Sequence, residues 1–260
     1  MNVFKRARVI YILHRHAIEH ELWRAVSDKL TLLQGMTAVE MAHLRELATL
    51  FLHEKNIYGA QKFHLSDEMR VIIATQACLP ILSLGIGLFS GWSDVIVYPS
   101  AFQVCRDERD EFGVVHHDLR LLSGEAWSRG PVIFSWQDIE QDLHRWQQGH
   151  NVIFHEIAHK LDTLNGSANG MPPLHYAMHP KQWSVAFSAA YERLNQRLQQ
   201  HHGVCVDPYA ATSPAEFFAV FSEYFFCAPD ILQEHFEDVF QLLKLYYRQE
   251  PLLRRSKIRF

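Results

Sequence analysis

Two histidines and a glutamate occur in this chain at the spacing of a metal-dependent hydrolase. The sequence reads His155-Glu-Ile-Ala-His159 inside the apolar, helix-compatible run 151–162. On a helix, residues four apart lie on one face, so His155 and His159 can bind one metal ion together. Glu156 lies between them, where its carboxylate can take a proton from a water at the metal. The pattern therefore predicts a zinc peptidase site.

A catalytic zinc ion needs a third protein ligand, and the sequence offers Glu216. Such an ion usually has three protein ligands and one position left for water. Glu216 stands near the start of the apolar segment 215–226, where a carboxylate needs a partner. Glu223 follows seven residues later on nearly the same helix face, so it could support a ligand from behind. The alternative for both carboxylates is a solvent position or an ion pair with Lys or Arg.

Tyr209 stands seven residues before Glu216, in the turn 207–214. The tetrahedral intermediate of peptide hydrolysis carries an oxyanion that needs a donor. A tyrosine hydroxyl leaning over the metal could be that donor. Spacing alone favours a simpler interpretation, in which the side chain is a packed aromatic of the turn.

Composition limits the function classes and the compartment. The chain has 260 residues, of which 48% are hydrophobic, enough for one large core or two small ones. Its formal net charge of -4 gives no basic excess for nucleic acid. The cysteines are scattered without a C-x-x-C pair, which predicts buried free thiols and a cytoplasmic protein. They are Cys78, Cys105, Cys205 and Cys227.

Two apolar runs were candidates for targeting or membrane segments, and both are better explained otherwise. The run 9–13 is shorter than a signal sequence requires and has no cleavage site after it. The run 71–89 contains Pro80, Gly85 and polar residues and lacks flanking basic anchors. We therefore predict no export signal, no membrane association, and a buried helix that breaks near Pro80.

The elements that must position these residues change character along the chain. Residues 1–90 predict helices, with a capping box at Thr37 and Glu40 and a cap at Ser66. Short β-branched segments bounded by Gly, Pro or Asp then predict strands. These are 94–99, 112–116 and 131–136.

After Gly149 the pattern is helical again. Beyond the metal helix it predicts one helix over about 181–200 and another that starts at Pro214 behind the N-cap Ser213. We predict an α+β fold in one compact domain, residues 1–260. It would comprise a helical part (1–90), a catalytic part with a small mixed sheet (91–250) and a flexible tail (251–260).

Two segments together resemble one known family. The residues His-Glu-Ile-Ala-His-Lys-Leu-Asp (155–162) and the segment 207–226 closely resemble the bacterial Mlc titration factors. More distantly, the catalytic half is similar to the metalloprotease domain of anthrax lethal factor. Further matching segments are 78–80, 98–99, 123–127 and 130–136. The resemblance covers roughly residues 70–250, whereas the first 35 residues match poorly.

The resemblance implies a zincin-like metalloprotease with one Zn²⁺ ion per chain and aminopeptidase-like activity on small substrates. Matched by motif, His155, His159 and Glu216 are its zinc ligands and Glu156 is its base. Tyr209 matches the family's transition-state tyrosine. The resemblance therefore favours the donor role, whereas spacing alone favours a packed turn aromatic.

The resemblance also implies that His116 can contribute to the metal. A fourth protein ligand would displace the catalytic water and hold the enzyme in a latent state. The alternative is a surface histidine, because the neighbouring His117 blurs the assignment.

In peptidases of this type an edge strand pairs with the extended substrate backbone. That would assign 132–135 to substrate binding, and the alternative is an ordinary buried strand.

The family's second role concerns a protein partner. Its members bind the glucose repressor Mlc and lift repression of sugar-phosphotransferase genes. For this chain the resemblance therefore implies a peptide substrate and Mlc as partners. We expect a monomer or weak oligomer. The alternative function is a non-catalytic protein that sequesters the repressor and has a structural or latent zinc site.

Overall fold

The N-terminal part is helical, as predicted, but it also contributes a strand to the sheet. The computed structural model describes residues 3–109, 115–122, 124–126 and 130–256, with the backbone alone within 3–5 and 102–126 and at 146 and 256. The first elements are α1 (Val3–Arg15), α2 (His20–Lys29), α3 (Ala38–Glu54), β1 (Asn56–Gly59) and α4 (Asp67–Cys78). Strand β1 was not predicted.

Local capping explains where the long N-terminal helices begin. The Thr37 side chain accepts a hydrogen bond from the Glu40 N–H, and Glu40 Oε2 accepts one from the Thr37 N–H at 2.8 Å. The Ser66 side chain accepts one from the Met69 N–H in the same way at the start of α4. Helix α4 is buried from Val71 onward and ends at Cys78, two residues before Pro80. The predicted caps and the break near Pro80 are therefore confirmed.

The middle of the chain forms a mixed sheet and a separate hairpin. Its strands are β2 (Asp94–Tyr98), β3 (Phe102–Arg109), β4 (Val115–Leu122), β5 (Gly124–Ala126) and β6 (Val132–Ser135). The sheet has the order β1-β2-β6-β5, with β5 antiparallel to β6 and the other pairs parallel. Strands β3 and β4 pair antiparallel with each other. Residues 112–114 of the predicted strand 112–116 lie outside the described residues.

Strand β6 is internal, so the prediction that 132–135 is an edge strand for substrate is wrong. All four of its residues are buried, and it pairs with β2 on one side and β5 on the other. A strand between two neighbours needs apolar side chains on both faces, which explains the continuous run Val-Ile-Phe. Among the described strands, β1 and β5 form the two edges of this sheet.

The C-terminal part is helical and surrounds one very apolar helix. The helices are α5 (Trp136–Arg145), α6 (Val152–Asp162), α7 (Pro180–Gln199), α8 (Pro214–Cys227), α9 (Pro229–His235), α10 (Glu237–Tyr247) and α11 (Pro251–Ser256). Helix α8 is buried along nearly its whole length and packs against α6, where the rings of Phe154 and Phe226 lie 5.2 Å apart. The predicted N-cap Ser213 is confirmed, since its side chain accepts from the Glu216 N–H. The architecture is mostly helical and consistent with the predicted α+β class.

Residues 251–256 form a packed helix, where the sequence had suggested a flexible tail. Arg254 is buried and donates to Glu40 Oε1 at 2.7 Å and to Gln249 Oε1 at 3.0 Å. Gln249 in turn donates to the Leu79 carbonyl at 2.8 Å. A Cβ at Gly35 would lie 2.1 Å from the Arg254 carbonyl oxygen, so only glycine allows this approach. The Arg254 guanidinium therefore attaches α11 to α3.

None of the helices that the structure describes is long and apolar enough to cross a membrane.

Cys78 and Cys227 are buried free thiols, as predicted, whereas Cys205 is exposed. The Cys105 side chain lies outside the described residues.

Candidate metal centre

Helices α6 and α8 bring three potential ligand atoms together. The two histidine Nε2 atoms, one helical turn apart on α6, lie 3.1 Å from each other. Glu216 Oε2, in the first turn of α8, lies 3.0 Å from His155 Nε2 and 3.1 Å from His159 Nε2. In the part of the chain that the structure describes, this is the one group of three potential metal ligands that converges.

The donor set and its dimensions fit a metal ion. A tetrahedral zinc with ligands at about 2.0–2.1 Å separates its ligand atoms by about 3.3–3.4 Å. The observed separations of 3.0–3.1 Å are a few tenths of an ångström shorter. Two imidazoles and one carboxylate are a common ligand set of catalytic zinc and leave one position open. The arrangement can therefore hold an ion that activates water.

The histidines and glutamates of the cluster shift one another's pKa values. Burial opposes ionisation of Glu216, but hydrogen bonds from His155 and His159 outweigh it and hold the pKa of Glu216 well below its usual value. Burial likewise opposes the charged form of His155, yet the nearby Glu223 and Glu216 carboxylates raise the pKa of that imidazole well above normal. The carboxylates of the site thus favour a positive charge at the position that the imidazoles face.

Glu156 is a buried carboxylate with unused hydrogen-bonding capacity beside the cluster. Its Oε2 atom has no hydrogen-bond partner among the described residues. Burial raises its pKa to about 7, against the opposing effect of His155 and His159. A buried carboxylate left unsatisfied calls for an explanation, and a base that receives a proton during reaction is one.

Glu223 holds His155 from behind. It is only 3% exposed, which excludes the solvent position considered from the sequence. Its Oε1 atom lies 2.7 Å from His155 Nδ1, and its Oε2 atom accepts the Asn151 N–H at 2.6 Å. A carboxylate on the far nitrogen fixes the ring and its tautomer, so that Nε2 faces Glu216 and His159.

A set of polar side chains at the start of α6 was missed by sequence reasoning. Asn151 Oδ1 caps the helix by accepting the Phe154 N–H at 2.9 Å. Asp142 Oδ2 accepts the Val152 N–H at 2.8 Å, while its Oδ1 lies 2.6 Å from His150 Nδ1. The Asn151 cap could have been found, because Asn before an apolar helical run is an N-cap signal. Asp142 precedes its partner by ten residues and carries no comparable local signal.

Tyr209 lies beside the cluster. Its ring centroid is 6.0 Å from that of His155, and 48% of the residue is exposed. It belongs to the 3-10 turn Pro208–Ala211, where Asp207 Oδ1 accepts the Tyr209 N–H at 2.8 Å. Tyr209 therefore lies near the cluster and is not buried within the turn.

His116 lies in β4 opposite Glu108, but its side chain is outside the described residues, so its role remains a prediction.

These features together define a class of protein. A helix with two histidines and a buried glutamate, joined by a glutamate from a second helix, is the arrangement of metallopeptidases. The model of the family described as glucose-regulated metallo-peptidase M90 matches residues 2–248. The chain belongs to this family.

Individual relatives agree with that assignment. The chain is 39% identical over 233 residues to an uncharacterized protein of Synechocystis sp., covering 89% of this chain and 85% of the relative. It is 39% identical over 241 residues to Mlc titration factor A of Pectobacterium atrosepticum, covering 91% and 88%. Mlc titration factor A of Escherichia coli is 36% identical over 225 residues, covering 86% and 84%.

Proposed function

We propose that this chain is a zinc-dependent, aminopeptidase-like peptidase with a zincin-like catalytic part. The observation that carries the proposal is the convergence of His155, His159 and Glu216 next to the buried, unsatisfied Glu156. The family match supports a metal ion of some kind. Two imidazoles and one carboxylate favour zinc, and the resemblance to Mlc titration factors supports the aminopeptidase type.

In this proposal each residue has a separate task. His155, His159 and Glu216 would hold the ion, and Glu223 keeps the His155 ring turned toward it. When bound, zinc lowers the pKa of water and polarises a carbonyl. Glu156 takes the proton of the attacking water and delivers it to the leaving amine. Its raised pKa of about 7 is suited to both directions of transfer.

Tyr209 is proposed as the donor to the developing oxyanion. Its half-exposed ring, with the centroid 6.0 Å from that of His155, supports this role. For the substrate backbone, strand β5 replaces 132–135 as the proposed pairing partner, since it forms one edge of the sheet and lies against α6. Among the described strands, none pairs with the other side of β5. An extended peptide could add there antiparallel or parallel to it.

The test compares wild type with Glu156→Gln. Metal content is measured by mass spectrometry and hydrolysis by aminopeptidase assays with small chromogenic peptides. We expect the variant to retain one zinc per chain and to lose at least about 100-fold in activity, the usual contribution of a general base. Hydrolysis at the wild-type rate by Glu156→Gln would refute the proposed mechanism.

The latent state is tested by a separate substitution. If the His116 imidazole blocks the open position, His116→Ala should raise activity while His117→Ala, its neighbour, leaves activity unchanged. Equal rates for both variants and wild type would remove His116 from the metal site.

We also propose that the chain binds a repressor of the Mlc type in the cytoplasm. Support comes from the names of two of the relatives above, which are Mlc titration factors. Glu156→Gln separates this role from catalysis, because repressor binding by calorimetry should survive the substitution. An inactive wild type that still binds repressor would favour the alternative, a sequestering protein with a structural or latent zinc site.

A further inference from the structure

The histidine ligand on α6 is connected to the N-terminal helical part by an unbroken chain of hydrogen bonds. His155 Nδ1 contacts Glu223 Oε1 at 2.7 Å, and Glu223 Oε2 accepts the Asn151 N–H at 2.6 Å. The Asn151 side chain then donates through Nδ2 to Gln76 Oε1 on α4, at 2.7 Å. Three separate helices and the residue that caps α6 are thereby linked to one imidazole.

We infer that Gln76 and Asn151 are positioning residues of the metal centre, acting on His155 through Glu223. The inference rests on the proposed zinc site and adds to it a contribution of α4, an element outside the catalytic part.

The orientation of each amide follows from its neighbours. Asn151 Oδ1 accepts the Phe154 N–H as the helix cap, so Nδ2 must point away from α6. That nitrogen faces Gln76, which therefore presents its oxygen, since two amide nitrogens cannot bond each other. As a result, Gln76 Nε2 is buried with no partner among the described residues. Gln76 thus leaves one of its own donors unpaired while it holds Asn151.

Burial makes this link costly to break. Gln76 and Asn151 are each 1% exposed, so water cannot replace a lost partner. Without the Gln76 oxygen, the Asn151 Nδ2 group would be an unpaired donor in the core. Asn151 would then shift to recover a partner, and its N–H would move relative to Glu223. A carboxylate that is less firmly held also orients its histidine less firmly.

The first test replaces Gln76 by Met, which has a similar shape and no acceptor oxygen. The matched control is Thr75→Val on the same helix, since Thr75 is also buried but its hydroxyl donates only to the Val71 carbonyl. Zinc dissociation constants are measured by chelator competition. We expect Gln76→Met to weaken zinc binding by about threefold to tenfold, below the 10–100-fold typical for a direct partner of a ligand. Thr75→Val should leave it unchanged.

A second pair of variants tests the same link from Asn151, and it decides the question if Gln76→Met does not fold. Asn151→Ser and Asn151→Asp both keep a side chain that can cap α6. Serine cannot reach Gln76, whereas aspartate can accept from the unpartnered Gln76 Nε2 after that amide turns. We expect weaker zinc binding for Asn151→Ser than for Asn151→Asp.

The outcomes separate this inference from the proposed function. Wild type that binds no zinc contradicts the proposed function. Wild type that binds zinc, together with equal affinities for Gln76→Met and Thr75→Val or for the two Asn151 variants, overturns the inference alone.

Discussion

The network behind His155 and the network around Arg254 both join distant helices through buried side chains, but they are built differently. Behind His155, the carboxylates of Glu223 and Asp142 accept hydrogen bonds from backbone N–H groups at the start of α6. In the other network, the Arg254 guanidinium donates hydrogen bonds to the side-chain oxygens of Glu40 and Gln249. The first network leads to a ring nitrogen at the cluster. The second links the C-terminal segment to the Glu40 side chain of α3 and to the Leu79 carbonyl just after α4.

The difference concerns what each network can transmit. Glu223 is held on both oxygens, so a change in it reaches His155 directly. The hydrogen bonds of the Arg254 guanidinium within the described residues go to Glu40 and Gln249, outside the metal cluster. Glu40 also accepts the Thr37 N–H and so completes the N-terminal cap of α3. Damage to the first network should therefore appear in metal binding, and damage to the second in the stability of the whole fold.

The largest expected effect comes from Glu223→Gln. An amide cannot accept from both the Asn151 N–H and the His155 ring, because one of its two ends is a donor. We expect zinc affinity to fall by about 10–100-fold, the usual result of losing the partner of a ligand. Chelator competition measures the effect. Unchanged affinity would show that Glu223 supports packing alone and would remove the contrast between the networks.

An effect on a different observable, the stability of the fold, is expected from Arg254→Met. Methionine keeps the aliphatic packing but leaves Glu40 and Gln249 without their donor. We expect the free energy of unfolding to fall by about 1–3 kcal/mol, as for a lost charged hydrogen bond. Chemical denaturation measures it, and zinc affinity should stay within about twofold of wild type. A large loss of zinc affinity in this variant would mean that the two networks are coupled.

Sequence reasoning predicted the features that depend on neighbouring residues. The caps at Thr37, Ser66 and Ser213 require only a side chain and an N–H three residues away, so the local pattern contains them. The two histidines of α6 are likewise a local pattern of helical spacing. The sequence also predicts Glu216 as a ligand, because a carboxylate in so apolar a segment needs a partner. The structure brings its oxygen to both imidazoles.

What could not be predicted depends on contacts between distant segments. Gln76 meets Asn151 only because α4 packs against α6, and no spacing in the chain encodes that contact. Strand β6 became internal because the three-residue β5, too short to stand out by composition, pairs with it. Arg254 looked like part of a charged tail, since its partner Glu40 lies more than two hundred residues earlier.

The smallest expected effect tests whether the network behind His155 needs a cation at its outer end. The Asp142 carboxylate hydrogen bonds to His150 and raises the pKa of this histidine to about 9, against the opposing effect of burial. Glu223 and His155 act on it more weakly and in opposite directions. Because the pKa of His150 is raised in the folded protein, the His150–Asp142 pair contributes its full stabilisation of the fold below about pH 6.5. The contribution is lost as the pH rises through about 9.

We therefore expect His150→Gln to be less stable than wild type near pH 6 and equally stable above about pH 9.5. The His150 side chain is 54% exposed, so solvent screening limits the difference to less than about 1 kcal/mol. Denaturation of both proteins at the two pH values measures it. Since Asp142 Oδ2 still accepts the Val152 N–H in the variant, the α6 cap and zinc affinity should be retained. A stability difference that does not change with pH would mean that His150 acts by hydrogen bonding alone. The buried carboxylates of this network would then be balanced by N–H groups and the metal cluster, without a surface cation.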